Sequence, residues 1–148
     1  MSYQGNQTIA YLISSLLGAG IYSFYAIQQY QRGGFASTTI SSQWGTAMLV
    51  VIGIQIILSI VSAFLVTILQ AIREREEKPS LADERDQLIE LKANKIAYSV
   101  FGIGFLIAMI TLAVGLRPLV MFNMLIVSLY TAAILGYIVQ LSLYRRGF

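Results

Sequence analysis

Four long apolar runs, Ile9 to Ile27, Trp44 to Ile72, Ile96 to Leu116 and Leu119 to Leu143, alternate with shorter polar stretches along the chain. Each is near or above the roughly 20 residues that carry a helix across a ~30 Å hydrocarbon layer. The runs are continuous, whereas the strands of a membrane barrel alternate apolar and polar residues over ~10-residue segments, so the pattern predicts helices. The expected architecture is all-α: one integral membrane four-helix bundle over residues 1–148. The first run is expected to be a retained helix. No Lys or Arg precedes it, and it outlasts the apolar core of a usual signal peptide.

The polar stretches suggest where the helices begin and end. Asn6 or Thr8 can cap the first helix, and Gly33-Gly34 can end it. Ser41 or Ser42 can cap the second before Trp44, which with Tyr30 is expected at a membrane interface. Only "GLRPL" separates the third and fourth runs, with Pro118 suited to a first helical turn, so those helices must be antiparallel neighbours. No Gly or Pro lies between Gly53 and Pro79 or between Ser80 and Gly102, while Pro79 stops one helix and Ser80 with Asp83 starts the next. Helices two and three are therefore expected to overshoot the membrane as a charged helical hairpin, residues 73–95.

Two arrangements of that hairpin are open, with a compromise between them, a continuous third helix tilted at the cytoplasmic surface, weighed equally against the upright form. Upright, it would set Arg73 level with Asp86, Glu74 with Arg85 and Arg75 with Glu84, exposed pairs that fix register more than stability. Lying on the membrane, residues 81–95 would gather Leu81, Leu88, Ile89, Leu91 and Ile96 with Arg85, Lys92 and Lys95 on one arc, and Asp83, Asp86, Glu90 and Asn94 on the other. In that case Arg85, Lys92 and Lys95, with Arg145 and Arg146 at the far end of the chain, anchor to lipid headgroups, and Asp83, Asp86 and Glu90 form a candidate partner-docking face.

Composition agrees with a membrane protein. The chain is 57% hydrophobic and only 11% charged, with mean hydropathy +0.71, more apolar surface than a soluble core of 148 residues can hide. Eight of the ten bases (Arg73, Arg75, Lys78, Arg85, Lys92, Lys95, Arg145 and Arg146) fall on the side that four spans assign to the termini and middle loop; only Arg32 and Arg117 fall on the other. Bases bias loops inward, so both termini are expected in the cytoplasm. The net charge of +3 is thus a topology signal, and no nucleic-acid partner is expected.

"DERD" at residues 83–86, followed by "LIELKANKIAY", a hydrophobic hairpin and a terminal "YRRG", resembles a set of small prokaryotic predicted membrane proteins classed as a domain of unknown function, with an Asp-Glu-Arg-Asp motif before the penultimate span. The resemblance covers residues 83–147. It implies a helical membrane fold and location in the prokaryotic cytoplasmic (inner) membrane, and it carries over no catalytic residue.

The missing residues narrow the chemistry. There is no His and no Cys, which excludes bis-histidine haem, a thiol relay and a Cys/His zinc site. No Asp, Glu, Lys or Arg lies in the core of a span, where proton-coupled transporters keep an ionisable group. Catalytic residues, cofactors and metals are therefore not expected. Gln55 is expected to join helices by amide hydrogen bonding. The small-residue stripes Ala10, Ser14, Gly18 and Ser128, Ala132, Gly136 mark where helices one and four meet each other or a neighbouring chain. The expected function is a non-catalytic accessory or scaffolding subunit, with membrane lipids and either its own copies or a larger membrane complex as partners. A small oligomeric channel or transporter, with Gln55, Tyr22 and Tyr25 on a shared pore, is the alternative.

Overall fold

A computed structural model describes residues 3–31, 40–73 and 84–145. These form α1 (Tyr3–Gln31), α2 (Ile40–Arg73), α3 (Glu84–Ala113) and α4 (Pro118–Arg145), and among the described residues only 114–117 are not helical. All four helices are long and apolar enough to cross a membrane, where a helix satisfies every backbone polar group within its own segment.

The helices start earlier than their polar residues suggest. α1 already runs from Tyr3, so Asn6 and Thr8 are interior residues and Thr8 is buried. α2 begins at Ile40, placing Ser41 and Ser42 inside its first turn. Both sets of residues can cap a helix, but a helix that continues keeps its backbone hydrogen bonds, which outweighs a side-chain cap. Gly33-Gly34, Pro79, Ser80 and Asp83 lie outside the described residues.

The turn between α3 and α4 is resolved in full. Leu116 N–H donates to Thr111 O and Gly115 N–H to Leu112 O, each at 3.0 Å, the paired bonds of a Schellman stop. Gly115 has φ 84°, a left-handed conformation that a side chain would disfavour. The third helix therefore ends at Ala113, short of the expected Leu116, and α4 opens at Pro118.

The helices form a row in the order α2, α1, α4, α3. α3 packs along α4, α1 packs on both α2 and α4, and α2 touches α4 only lightly. Among the described residues α2 and α3 share no extended contact. α3 instead lies against α4 from its first turns: Ile89 is 1% exposed and Ala93 is buried, and Asp86 and Glu90 act electrostatically on Tyr144. Ile89 leaves the outward arc for the bundle, while Leu88, Leu91 and Ile96 stay exposed. The upright rungs Glu74–Arg85 and Arg75–Glu84 involve residues outside the described set.

Small residues explain the close α3–α4 approach. A Cβ on Gly136 would lie 3.1 Å from the Ala97 Cβ and 3.7 Å from the Ala93 carbonyl oxygen, and one on Gly104 would run into Ser128. Ala108 and Ala132 are buried in the same seam. The stripe Ser128, Ala132, Gly136 thus faces α3, where the sequence pattern left α1 or a neighbouring chain as its partner. α3 offers matching small residues, whereas the side of α4 that meets α1 carries tyrosines.

Candidate functional site

On α1, Thr8, Tyr11, Ser15, Gly18 and Tyr22 recur at alternating steps of three and four, which holds one helical face. On α4, Asn123, Tyr130, Tyr137 and Tyr144 recur every seventh residue. The antiparallel packing brings these faces together as a polar seam through the apolar bundle. The Tyr22 hydroxyl donates to Asn123 Oδ1, and Asn123 Nδ2 in turn donates to the Leu119 carbonyl at 2.8 Å. The Tyr22 and Tyr130 rings stack with centroids 6.5 Å apart, and Tyr11 stacks on Tyr137 at 5.9 Å. Tyr22 and Tyr130 are buried together with Val51 and Ile126.

α2 closes the middle of the seam. Gln55 lays its amide over Gly18, where a Cβ would collide with the amide oxygen and lie 2.9 Å from the Tyr130 hydroxyl. Gln55 Nε2 donates to Ser59 Oγ at 3.5 Å, but the buried Gln55 Oε1 accepts no hydrogen bond from the described residues. An orphaned acceptor in a low-dielectric interior costs about 1–3 kcal/mol. Gln55 is therefore seated by the space that Gly18 leaves, more than by any bond it makes. A cleft of about 210 Å³ opens beside it, lined by Ser15, Val51, Gln55, Ile126, Tyr130 and Tyr137.

A second cavity lies at the charged end of the bundle, where α1 and α3 begin and α4 ends. Its volume is about 400 Å³, and its walls are Gln7, Thr8 and Tyr11 from α1, Glu90 and Asn94 from α3, and Tyr137 and Gln140 from α4. Tyr137 lines both cavities. The wall is ordered by short bonds: Gln7 Nε2 donates to the Tyr11 hydroxyl at 3.1 Å, and Tyr144 is hydrogen-bonded to Gln140.

The remaining predicted positions sort by face. Ala10 is half-buried and Ser14 is buried with its hydroxyl donating to the Ala10 carbonyl at 2.8 Å. Arg85, Lys92, Lys95 and Arg145 are exposed; Arg146 and Asp83 fall outside the described residues. Asp86 is half-buried and Glu90 lines the charged-end cavity, so this acidic side of α3 borders α4 and α1 rather than turning away from the bundle. Among the described residues no group of three or more His, Cys, Asp or Glu is placed to hold a metal ion. The sequence reading missed Tyr11, Tyr130, Tyr137 and Tyr144 as a set. Their signal was present in the seven-residue spacing on α4.

A family described as predicted membrane protein (DUF2178), a domain of unknown function, matches residues 6–148. The chain belongs to this family. The DUF2178 match spans all four helices and so reaches well beyond the 83–147 stretch that carried the resemblance in the sequence. No curated protein and no solved structure matches the chain. The protein is thus a DUF2178 membrane protein with four candidate spans.

Proposed function

We propose that this DUF2178 protein is a non-catalytic accessory or scaffolding subunit that holds another membrane-embedded chain, a second copy of itself or a larger partner, by helix contacts. The observation that carries this reading is the open row of helices. α2 and α3 each have one principal neighbour, and only 6% of the most apolar window of either is buried, against 22% for α1 and α4. Gly53 on α2 and Gly102 on α3 have nothing within 4 Å of where a Cβ would sit. Such glycines add little to lipid contact but let a second backbone come close.

Protein extracted from its native membrane in mild detergent should travel at a protein mass above one 16.4 kDa chain. Gly53→Leu combined with Gly102→Leu should return it to a single chain with unchanged thermal stability, since neither side chain meets the chain's own atoms. A wild-type protein that is already a single chain contradicts the reading.

On the same reading the protein sits in the prokaryotic cytoplasmic membrane with both termini inside, supported by the eight-to-two distribution of bases. A reporter fused after Phe148 should be cytoplasmic and one inserted near Ser37 external; Phe148 outside would overturn that orientation.

A passive channel or small transporter is the second reading, favoured by the continuity of the polar seam. The Tyr11–Tyr137 and Tyr22–Tyr130 pairs fill that seam at two levels. A pore therefore predicts ion flux in reconstituted vesicles that rises sharply when Tyr137→Ala removes one ring.

A further inference from the structure

We propose that the charged-end cavity is a binding site for a small organic ammonium ion, the chemistry of a choline or ethanolamine group. Three features of the cavity converge on that ligand. Among its lining residues Glu90 supplies the single charge and no base is present. Gln7, Thr8, Asn94 and Gln140 add neutral oxygen atoms. Tyr11 and Tyr137 form an aromatic wall with ring centroids 5.9 Å apart, and the negative faces of such rings attract cations.

The bases of α3 sit elsewhere. Arg85, Lys92 and Lys95 are exposed, and none of them lines the cavity. Arg85 comes within electrostatic reach of Tyr144, as do Asp86 and Glu90. Among the described lining residues an anion therefore has no counter-charge, whereas a cation has the exposed carboxylate of Glu90.

Size and ligand type separate an organic from a metal cation. A divalent ion takes six or more oxygens at about 2.0–2.6 Å, and the cavity offers one carboxylate within about 400 Å³. An apolar cavity of ~150 Å³ holds benzene, so a choline-sized ion fits here with water around it. The cavity lies at the ends of spanning helices, so the ammonium group can belong to a lipid headgroup or to a free solute.

The probe is choline chloride, added to full-length protein purified in a detergent that carries no ammonium group, with sodium chloride at matched ionic strength as control. Choline should raise the midpoint of thermal unfolding in a saturable way and sodium should not. Glu90→Gln, a change at an exposed side chain, should leave the starting midpoint in place and weaken choline binding about tenfold, the effect of losing ~1.4 kcal/mol. Glu90→Asp should recover part of that loss, and Tyr11→Phe, which keeps the ring, should bind choline within about threefold of wild type. In nanodiscs, displacement of bound choline on adding phosphatidylcholine to phosphatidylglycerol assigns the site to lipid headgroups, and undiminished choline binding assigns it to a free solute. Equal shifts with choline and sodium, or choline binding unchanged in Glu90→Gln, would overturn the proposal.

Discussion

α4 meets its two neighbours in different ways. Toward α3 it presents Ser128, Ala132 and Gly136, and the backbones approach until a Cβ on Gly136 or Gly104 would meet the opposite helix. Toward α1 it presents Asn123, Tyr130 and Tyr137, whose rings and amide meet Tyr22 and Tyr11. Lipid tails are as apolar as leucine, so helices in a bilayer gain little from the hydrophobic effect and must pack by close approach or by polar bonding. One seam of this protein uses the first means and the other uses the second, and the polar one carries both cavities.

The largest effect is expected in the tight seam. Gly104→Leu must push Ser128 and its backbone away, a steric conflict of at least the 1–3 kcal/mol that overpacking usually costs. It should remove most of the folded yield or lower the unfolding midpoint sharply in detergent, while Gly102→Leu two residues away should be silent. Equal effects of the two would mean that α3 does not lie on α4 as described.

In the polar seam, Gly18→Ala forces the Gln55 amide and the Tyr130 ring to shift, and a loss of about 1–2 kcal/mol is expected because side chains yield more readily than backbone. Tyr22→Phe removes the hydroxyl that donates to Asn123. Intramembrane hydrogen bonds of this kind average about 0.6 and reach about 1.7 kcal/mol, so reversible unfolding in mixed detergent should register a loss in that range. The smallest effect is assigned to Gln55→Leu. Since its amide oxygen has no partner, replacement by an apolar side chain should be neutral or mildly stabilising; a loss above about 2 kcal/mol would show that the amide makes a bond absent from the structure.

Much of the fold was legible in the sequence because a bilayer imposes simple rules. Apolar length alone gave four helices, and Gly115 with Pro118 placed the hairpin between α3 and α4. Helix starts were less legible, since Thr8 or Ser41 in a continuing helix looks the same in sequence as a cap. The partner of each stripe was hidden for another reason. A row of small residues reveals that something comes close but not which helix it is, so the pattern leaves α1 or a neighbouring chain as the partner of Gly136, which meets α3. The seven-residue tyrosine period was visible from the start, yet its meaning depends on α1 offering Tyr11 and Tyr22 at matching heights. Glu90 shows the same limit, because only the fold reveals that the acidic side of α3 turns toward α1 and α4.

The division of α4 into two unlike faces can be tested by cysteine cross-linking, for which the chain has no cysteine background. The Ala97 Cβ lies 3.1 Å from where a Cβ on Gly136 would sit, close to the ~3.5–4.5 Å that a disulfide requires. In native membranes treated with a mild oxidant, Ala97→Cys with Gly136→Cys should form an intramolecular disulfide, and Gly18→Cys with Gly136→Cys should not. Cross-linking of the Gly18–Gly136 pair without the Ala97–Gly136 pair would put the small-residue stripe of α4 against α1 and contradict the account.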